Sequence, residues 1–183
     1  MDAAISSEVF YFEHMALPLT GLQVTAPDGS AVQPANAGSG RYRSTFNVLL
    51  RQPGTYRIAV LSEPVMATFR QGGQTRRLRG TTASLASSIP ADAQDLNVIA
   101  SINRVESFVT AGKPSTGALQ PSGRGLEMVP VTHPSDFVAG SQAQLRFLLD
   151  GRPLAGLKVT LVPGGIRYRD QLQDQAFTTD AQG

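Results

Sequence analysis

The 183-residue chain has a mass of 19.4 kDa and a formal net charge of +2, from 14 arginines and 2 lysines against 14 acidic residues. Hydrophobic residues make up 41% of the chain and charged residues 16%, which excludes a disordered protein and is too polar for an integral membrane protein. No basic block suggests a nucleic-acid partner, no apolar run reaches the roughly 20 residues that span a bilayer, and there is no cysteine for a disulfide or a thiolate metal site.

The first half of the chain alternates apolar and polar residues between proline and glycine breaks, a pattern typical of strands. Residues 22–25 predict a strand that ends in a Pro27-Asp28-Gly29 turn, since proline presets φ and glycine accepts a positive φ. A polar loop is expected over 35–40. A hairpin is predicted around Gly72-Gly73, and a short helical turn is predicted over 82–88.

The sequence PGTYRIAV, residues 53–60, resembles a late strand of an immunoglobulin-like sandwich. In that fold a tyrosine hydroxyl ties a corner to nearby backbone, and Tyr56 is the candidate for this role. The alternative is an ordinary half-buried strand tyrosine.

Residues 111–125, AGKPSTGALQPSGRG, contain four glycines and two prolines with almost no bulky side chain, which predicts an extended linker. Strands resume at Leu126, and two of them are expected to meet across Asp150-Gly151. Between these points Leu145, Phe147 and Leu149 are predicted to share one face of a half-buried strand.

Two octapeptides are identical at six of their eight positions: PLTGLQVT at residues 18–25 and PLAGLKVT at residues 153–160. Proline suits the start of a strand, and the Leu-x-Val pattern places two branched side chains on one face. The repeat predicts the same strand in two related domains, and chance similarity of two strand starts is the alternative.

These patterns together predict an all-β fold of two consecutive immunoglobulin-like antiparallel β-sandwiches. The predicted boundaries are 1–110 for the first domain, 111–125 for the linker and 126–183 for the second domain. Only four or five strands are expected in the second domain, which predicts an incomplete sandwich with an exposed sheet edge.

Candidate metal ligands are few. Imidazole and carboxylate groups suit zinc, nickel or copper, and each of the two histidines has an acidic residue nearby: Glu13 beside His14, and Asp136 three residues after His133. The alternatives are an exposed loop residue for His14 and a turn residue for His133 that organises the start of the next strand.

Neither a nucleophile elbow nor a phosphate-binding glycine loop occurs, so no catalytic residue and no cofactor-binding residue is predicted. Two surface groups remain. Arg76, Arg77 and Arg79 could bind an anionic partner or form a solvated hairpin face. The aromatic run Phe10, Tyr11 and Phe12 could be a binding platform or could pack at the edge of the core.

The segments GLQVTAPDG, GRYRSTFNVLLRQPGTYRIAV and GLEMVPVTHPSDFVAGSQAQLRFLLDGRPLAGLKVTLVPGG resemble an exported bacterial domain family of unknown function. Some members of that family are named as periplasmic components of nickel or cobalt uptake. The most specific part of the resemblance is Leu126 and Glu127 with Pro130 and the turn at 150–153. The resemblance implies a periplasmic or secreted protein, although the first residues carry no signal peptide, and it implies that both terminal sheet edges arise from truncation.

The functional expectation is a non-enzymatic periplasmic binding or accessory protein, associated with nickel or cobalt uptake through the resemblance, with an envelope protein or metal transporter as its partner. A carbohydrate-binding or adhesive module is the alternative, because sandwiches often bind through the loops at one end. An enzyme would need acids or serines that only the fold brings together.

Overall fold

The computed structural model describes residues 1–7 and 11–183, and the regular structure there is almost entirely antiparallel β-sheet. This part of the chain has one α-helix, α1 (Thr82–Ser88). Its strands are β1 (Asp2–Ile5), β2 (Met15–Ala16), β3 (Leu22–Thr25), β4 (Ala35–Ser39), β5 (Ser44–Asn47), β6 (Gly54–Ser62), β7 (Val65–Gln71), β8 (Gln74–Gly80), β9 (Gln94–Ala100), β10 (Asn103–Ala111), β11 (Leu126–Pro130), β12 (Leu145–Leu149), β13 (Arg152–Pro153), β14 (Lys158–Leu161) and β15 (Gln175–Thr178). The predicted all-β antiparallel fold is confirmed.

The contacts divide the chain into two compact units. Unit 1 consists of Met1–Val60 together with Glu106–Gly183, and unit 2 consists of Leu61–Val105. Unit 1 thus combines residues from both predicted domains with the whole segment between them. The division into sandwiches at 1–110 and 126–183 stays a prediction, because compactness alone does not define a sandwich.

The strands of unit 1 pair in four sheets within the described residues. Their orders are β2-β1-β5-β4, β10-β6-β3, β11-β12-β13 and β14-β15. The core lies beside β3, β5 and β6, where Val24, Phe46 and Ile58 are each less than 5% exposed. The alternation in β5 explains this placement, since Ser44 and Phe46 point inward while Thr45 and Asn47 point outward.

The loop predicted over 35–40 is wrong, because Ala35–Ser39 forms β4. Its small residues have little intrinsic strand preference, and the strand exists because it pairs with β5 through Ala35 with Asn47 and Ser39 with Ser44. The register shifts between these pairs, where Asn36 has a φ of 52°. Tertiary pairing therefore overrides local composition here.

Tyr56 on β6 forms the predicted tyrosine corner. Its ring is 1% exposed, and its hydroxyl donates to the Gln52 carbonyl at 3.1 Å while it accepts from the Gln52 N–H at 2.8 Å. The hydroxyl thus closes the Pro53-Gly54 corner that leads into β6. The reading of Tyr56 as a corner residue is confirmed over the reading as an ordinary strand tyrosine.

Replacing Tyr56 by phenylalanine is expected to lower the free energy of unfolding by about 1–2 kcal/mol, because both hydrogen bonds between the Tyr56 hydroxyl and the Gln52 backbone are lost. Urea unfolding of the full chain measures this. The matched control is Tyr42→Phe, since Tyr42 is 40% exposed and its change is expected to stay within about 0.5 kcal/mol. Equal effects of the two substitutions would contradict the corner.

The glycine- and proline-rich segment predicted as an extended linker packs closely against the rest of unit 1. A 3₁₀ turn forms at Gly117–Leu119, where Ala118 is 1% exposed and Leu119 is 6% exposed. A Cβ atom added to Gly117 would overlap the backbone carbonyl oxygen of Pro27. The absence of side chains here therefore allows close backbone approach, and the predicted extended conformation is wrong at this turn.

The predicted Asp150-Gly151 connection is confirmed as a two-residue turn between β12 and β13. Asp150 has a φ of 49° and Gly151 a φ of 76°, as a type I′ turn requires. The predicted burial of β12 is wrong at its end, because Leu149 on the predicted inner face is 45% exposed, whereas Leu148 on the opposite face is 8% exposed. Leu145 and Phe147 on the predicted face are half-buried and Leu148 on the opposite face is buried, so both faces of β12 are partly covered.

The two copies of the repeated octapeptide adopt similar local structures. In both, a turn that includes Gly21 or Gly156 leads into a strand, β3 or β14. The copies differ in detail, since Val24 is buried and Val159 only half-buried, and Gly156 alone has a positive φ, of 76°. Their equivalence in two related domains stays a prediction.

Unit 2 contains the sheet β8-β7-β9 with α1 packed on one face. The central strand β7 alternates strictly, so that Val65, Ala67 and Phe69 are buried, and Leu85 of α1 joins this core. Thr81 caps the helix through a reciprocal pair of hydrogen bonds with Ser84. The predicted hairpin around Gly72-Gly73 and the predicted helical turn are both confirmed.

Across the part of the chain that the structure describes, no helix is both long enough and apolar enough to cross a bilayer.

Candidate functional site

His133 follows β11 and caps the 3₁₀ turn Pro134–Asp136. Its Nδ1 atom accepts a hydrogen bond of 3.1 Å from the Ser135 N–H. Because Nδ1 accepts, the neutral ring carries its proton on Nε2. The ring is thus fixed in one tautomer by the turn that follows it.

The Nε2 atom of His133 points to the start of β6. It lies 2.9 Å from the Thr55 hydroxyl and 3.2 Å from the Ser115 carbonyl oxygen, and both can accept its proton. Thr55 is fully buried, and its N–H donates to the Ser115 hydroxyl at 3.0 Å. In return the Ser115 N–H donates to the Thr55 hydroxyl at 3.2 Å.

A chain of hydroxyl groups continues from this pair. The Thr55 oxygen already accepts from Ser115 and His133, so its own hydrogen is directed to Thr110, at 2.9 Å. Thr110 in turn lies 3.1 Å from the Ser135 hydroxyl. We call Thr55, Thr110, Ser115, His133 and Ser135 the His133 cluster. It joins β6, β10, the segment after β10 and the turn after β11.

The His133 cluster is built to hold loops rather than to move a proton. A histidine that activates a hydroxyl must accept its proton, but Nε2 of His133 is the donor toward Thr55. The orienting group on Nδ1 is a backbone N–H, where a catalytic histidine would face a carboxylate. The geometry therefore agrees with His133 as a turn residue that organises the chain around β6.

The other candidate metal ligands do not belong to the His133 cluster. Asp136 is exposed, and its backbone N–H donates to the His133 carbonyl at 2.8 Å. Glu13 accepts from the Ser6 and Ser7 hydroxyls at 3.2 and 2.8 Å. His14 is exposed beside Glu13.

Within residues 1–7 and 11–183, no three or more histidine and carboxylate side chains are placed together to hold a metal ion. Both ring nitrogens of His133 are already hydrogen bonded. The assignment of His14, Glu13, His133 and Asp136 as ligands stays a prediction.

Comparison with known proteins assigns the chain to a family. The model for the domain of unknown function DUF4198 matches residues 1–183, which is the entire chain. The chain belongs to the DUF4198 family. No curated protein and no solved structure gives a significant match.

The resemblance to a domain family of unknown function is thus confirmed through DUF4198. Its description names no metal, substrate or partner, so the link to nickel or cobalt uptake stays a prediction. Within this chain, the residues that carry the resemblance most specifically now have a structural role, and Glu127 is the clearest of them.

Glu127 is a buried carboxylate, 3% exposed, that the sequence reasoning did not single out as a site of its own. Its Oε1 atom accepts from the N–H and the hydroxyl of Ser122 at 2.7 and 2.8 Å, and its Oε2 atom accepts from the Gly123 N–H at 2.7 Å. The carboxylate thus fixes the turn before β11. One local signal could have found it, since a lone acid inside the apolar strand LEMVP must be paired when buried.

The partners of His133 gave no local signal. Thr55 and His133 are 78 positions apart, and Thr55 and Thr110 are 55 apart. Hydroxyl residues are common in strands and loops of any β protein, so only the tertiary structure identifies these as a cluster.

Asp28 organises the turn after β3 with an exposed carboxylate. Hydrogen bonds from the Ser30 hydroxyl at 2.6 Å, the Ser30 N–H at 3.0 Å and the Gln52 amide at 3.0 Å favour the charged form. They lower the pKa of Asp28 from 3.8 to about 2. Gln52 therefore links this turn to Tyr56, because its side chain bonds to Asp28 and its backbone bonds to the Tyr56 hydroxyl.

The pH dependence of stability is expected to reflect this turn. Because the folded pKa of Asp28 lies below its unfolded value, its contribution is complete above about pH 4 and is lost as the pH falls through about 2. The difference in unfolding free energy between the wild type and Asp28→Asn should therefore shrink from pH 5 to pH 2, measured by urea unfolding at each pH.

Ser30→Ala provides the control, because it removes the largest cause of the shift and is expected to raise the Asp28 pKa in a carboxyl NMR titration. A difference between wild type and Asp28→Asn that stays constant from pH 5 to pH 2 would contradict the assignment.

Phe12 of the aromatic run and the arginines of β8 are exposed, and Tyr11 is half-buried. Phe12 and Tyr42 are each 40% exposed, with the Arg43 guanidinium 5.9 Å from the Phe12 ring and the Arg41 guanidinium 5.0 Å from the Tyr42 ring. Phe10 lies outside the described residues. Arg76, Arg77 and Arg79 are exposed on β8, as predicted for a hairpin face.

Proposed function

We propose that this DUF4198 chain is a non-enzymatic binding or accessory module of the bacterial cell envelope, periplasmic or secreted, that serves nickel or cobalt uptake beside an envelope protein or metal transporter. The observation that supports the non-enzymatic part is the hydrogen bonding of three side chains of types that can act as acids or bases. His133, Glu127 and Asp28 each accept hydrogen bonds from the backbone N–H of a loop.

These three side chains hold loops in place through hydrogen bonds. A side chain that took part in a reaction would have to give up those hydrogen bonds. Binding through exposed loops and strands is therefore the mode of action that we propose for this chain. The uptake part rests on the resemblance to family members that carry such names, and it needs its own test.

Metal binding is tested by calorimetric titration of the full chain, prepared without a histidine tag, with nickel, cobalt, zinc and copper. We expect binding tighter than about 1 mM for nickel or cobalt. No heat from any of the four metals up to that concentration would remove the metal part of the proposal.

Two histidine variants locate the site. His14→Gln is expected to weaken binding about tenfold or more, because the His14 imidazole is exposed beside Glu13, whereas both ring nitrogens of His133 are hydrogen bonded. His133→Gln is expected to lower stability and leave metal affinity within about twofold, because its ring would have to leave Thr55 or Ser135 to bind a metal. The opposite pattern would place the ligand at His133.

The envelope location is tested with the complete reading frame fused to alkaline phosphatase, which is active only after export. An inactive fusion with a normal amount of protein would contradict it.

A carbohydrate-binding or adhesive role is the second proposal, supported by the exposed Phe12 and Tyr42 rings beside Arg43 and Arg41. Sugars stack on exposed aromatic faces, and a glycan array comparing the wild type with Phe12→Ala/Tyr42→Ala tests it. Equal signals for the two proteins would remove this role.

A further inference from the structure

Strand β8 is an edge strand of the three-stranded sheet in unit 2. It pairs with β7 over seven consecutive residue pairs without a shift of register, from Gln71 with Gln74 to Val65 with Gly80. The opposite edge strand, β9, is interrupted by a bulge opposite β7, and Asp95 there has a φ of 52°. A bulge is a common device that protects an edge, and β8 has none.

The type of the hairpin loop determines which backbone N–H and C=O groups of β8 do not bond to β7. Gly72 and Gly73 have φ values of 56° and 79°, so the hairpin has a two-residue type I′ loop and its flanking pair is hydrogen bonded. Every second pair along the ladder is bonded in the same way. The N–H and C=O groups of Thr75, Arg77 and Arg79 therefore point away from β7, toward the free edge.

Positive charge is concentrated on this same strand. Unit 2 has five arginines and three carboxylates, and three of the arginines are on β8. Arg70 of β7 pairs with Asp95 at 3.9 Å, and within the described residues no ion pair is found at Arg76, Arg77 or Arg79. These three guanidinium groups are exposed.

The charge pattern decides which strand can add to this edge. A second copy of β8 would place arginines beside arginines, and like charges on neighbouring strands are destabilising. An acidic strand would place carboxylates there instead. The arginines thus oppose self-association and favour an acidic segment.

A lipid surface fits this arrangement less well. Paired residues of antiparallel strands share a face, so Arg77 and Arg79 lie with Thr68 and Met66, whereas Arg76 lies with Phe69 on the opposite face. A planar bilayer reaches one face only, but an added strand runs beside both. Lipid headgroups also provide no regular ladder for the open N–H and C=O groups.

We propose that the free edge of β8 binds an extended acidic segment of a partner protein, which adds to the sheet as a fourth strand. Main-chain hydrogen bonds to Thr75, Arg77 and Arg79 supply the pairing, and alternate aspartate or glutamate side chains meet the arginines. This inference rests on the proposed role as a binding module and is independent of nickel and cobalt.

The test is hydrogen exchange by NMR on the full chain, without metal, in the presence of a seven-residue capped peptide that alternates threonine and glutamate. The amides of Thr75, Arg77 and Arg79 are expected to gain protection, while those of Arg76 and Leu78 are already protected by β7. A peptide with glutamine in place of glutamate is expected to bind about tenfold more weakly.

Three variants separate the contributions. Arg77→Gln/Arg79→Gln is expected to weaken binding about tenfold, and Arg77→Pro is expected to abolish it by removing an outward N–H without breaking a bond to β7. Arg70→Gln is the matched control: it lies on β7, on the face of Arg77, so strand addition should change by less than about twofold. Equal losses from Arg70→Gln and Arg77→Gln/Arg79→Gln would indicate binding to the face of the sheet and overturn the proposal.

Vesicles of phosphatidylcholine and phosphatidylglycerol form the second arm. Binding to vesicles without protection of the three amides by the peptide would overturn the proposal in favour of a lipid surface. Loss of peptide binding with a positive nickel or cobalt titration would refute the edge site and leave the metal proposal standing.

Discussion

Replacing Glu127 by glutamine is expected to lower the free energy of unfolding by about 2–3 kcal/mol, measured by urea unfolding of the full chain. The buried carboxylate uses both oxygens to accept from Ser122 and Gly123. A glutamine has one oxygen, so its amide group would point a donor at a backbone N–H that is itself a donor. The cost is that of leaving buried polar groups without partners.

Glu13→Gln is the matched control. It makes the same chemical change at a carboxylate that also accepts from two serine hydroxyls, but at an exposed position. Its effect is expected to stay within about 0.5 kcal/mol. Similar changes in unfolding free energy for the two substitutions would show that the buried hydrogen bonds of Glu127 do not stabilise the fold.

Replacing Gly117 by alanine is expected to cost about 2–3 kcal/mol, because the new Cβ would overlap the Pro27 carbonyl and force the two backbones apart. A flexible linker would tolerate the change or gain stability from it. The substitution therefore measures whether residues 111–125 behave as part of unit 1, with urea unfolding as the readout.

The control for Gly117 is Gly38→Ala on β4. A Cβ at Gly38 would have no atom within 4 Å, and its φ is not positive. Stability is expected to be unchanged or to rise by up to about 1 kcal/mol. A harmless Gly117→Ala would contradict the packing of this segment.

Much of the fold could be predicted where local rules act alone. The Pro27-Asp28-Gly29 turn, the Gly72-Gly73 hairpin and the Asp150-Gly151 turn each depend on the φ preferences of a few neighbouring residues. Tyr56 could be identified because a proline-glycine corner before a strand is a local pattern. The strands around these turns follow from alternation.

The failures share one physical cause, which is pairing between distant segments. Strand β4 has a composition typical of a loop and forms through its ladder to β5. Residues 111–125 have a composition typical of a linker, yet Gly117 is needed for contact with Pro27, 90 positions earlier in the chain. Composition cannot distinguish a small residue that gives freedom from one that permits close packing.

In the candidate site, too, the local contacts could be predicted from the sequence and the distant contacts could not. The turn role of His133 was open as an alternative because VTHPSD is a local turn pattern, and Ser135 provides the local bond. Its partners Thr55 and Ser115 became visible only when β6 and the segment after β10 were brought together.

The discontinuity of unit 1 has a consequence for biosynthesis. Residues 61–105 leave the ribosome between the two parts of unit 1, so the nascent chain can complete unit 2 while β6 still lacks β10, its neighbour in the sheet. Because β6 and β10 are neighbours in the sheet, a short loop between them would suffice to connect the two parts of unit 1. Replacing residues 61–105 by such a loop would therefore leave the pairing of β6 with β10 in place.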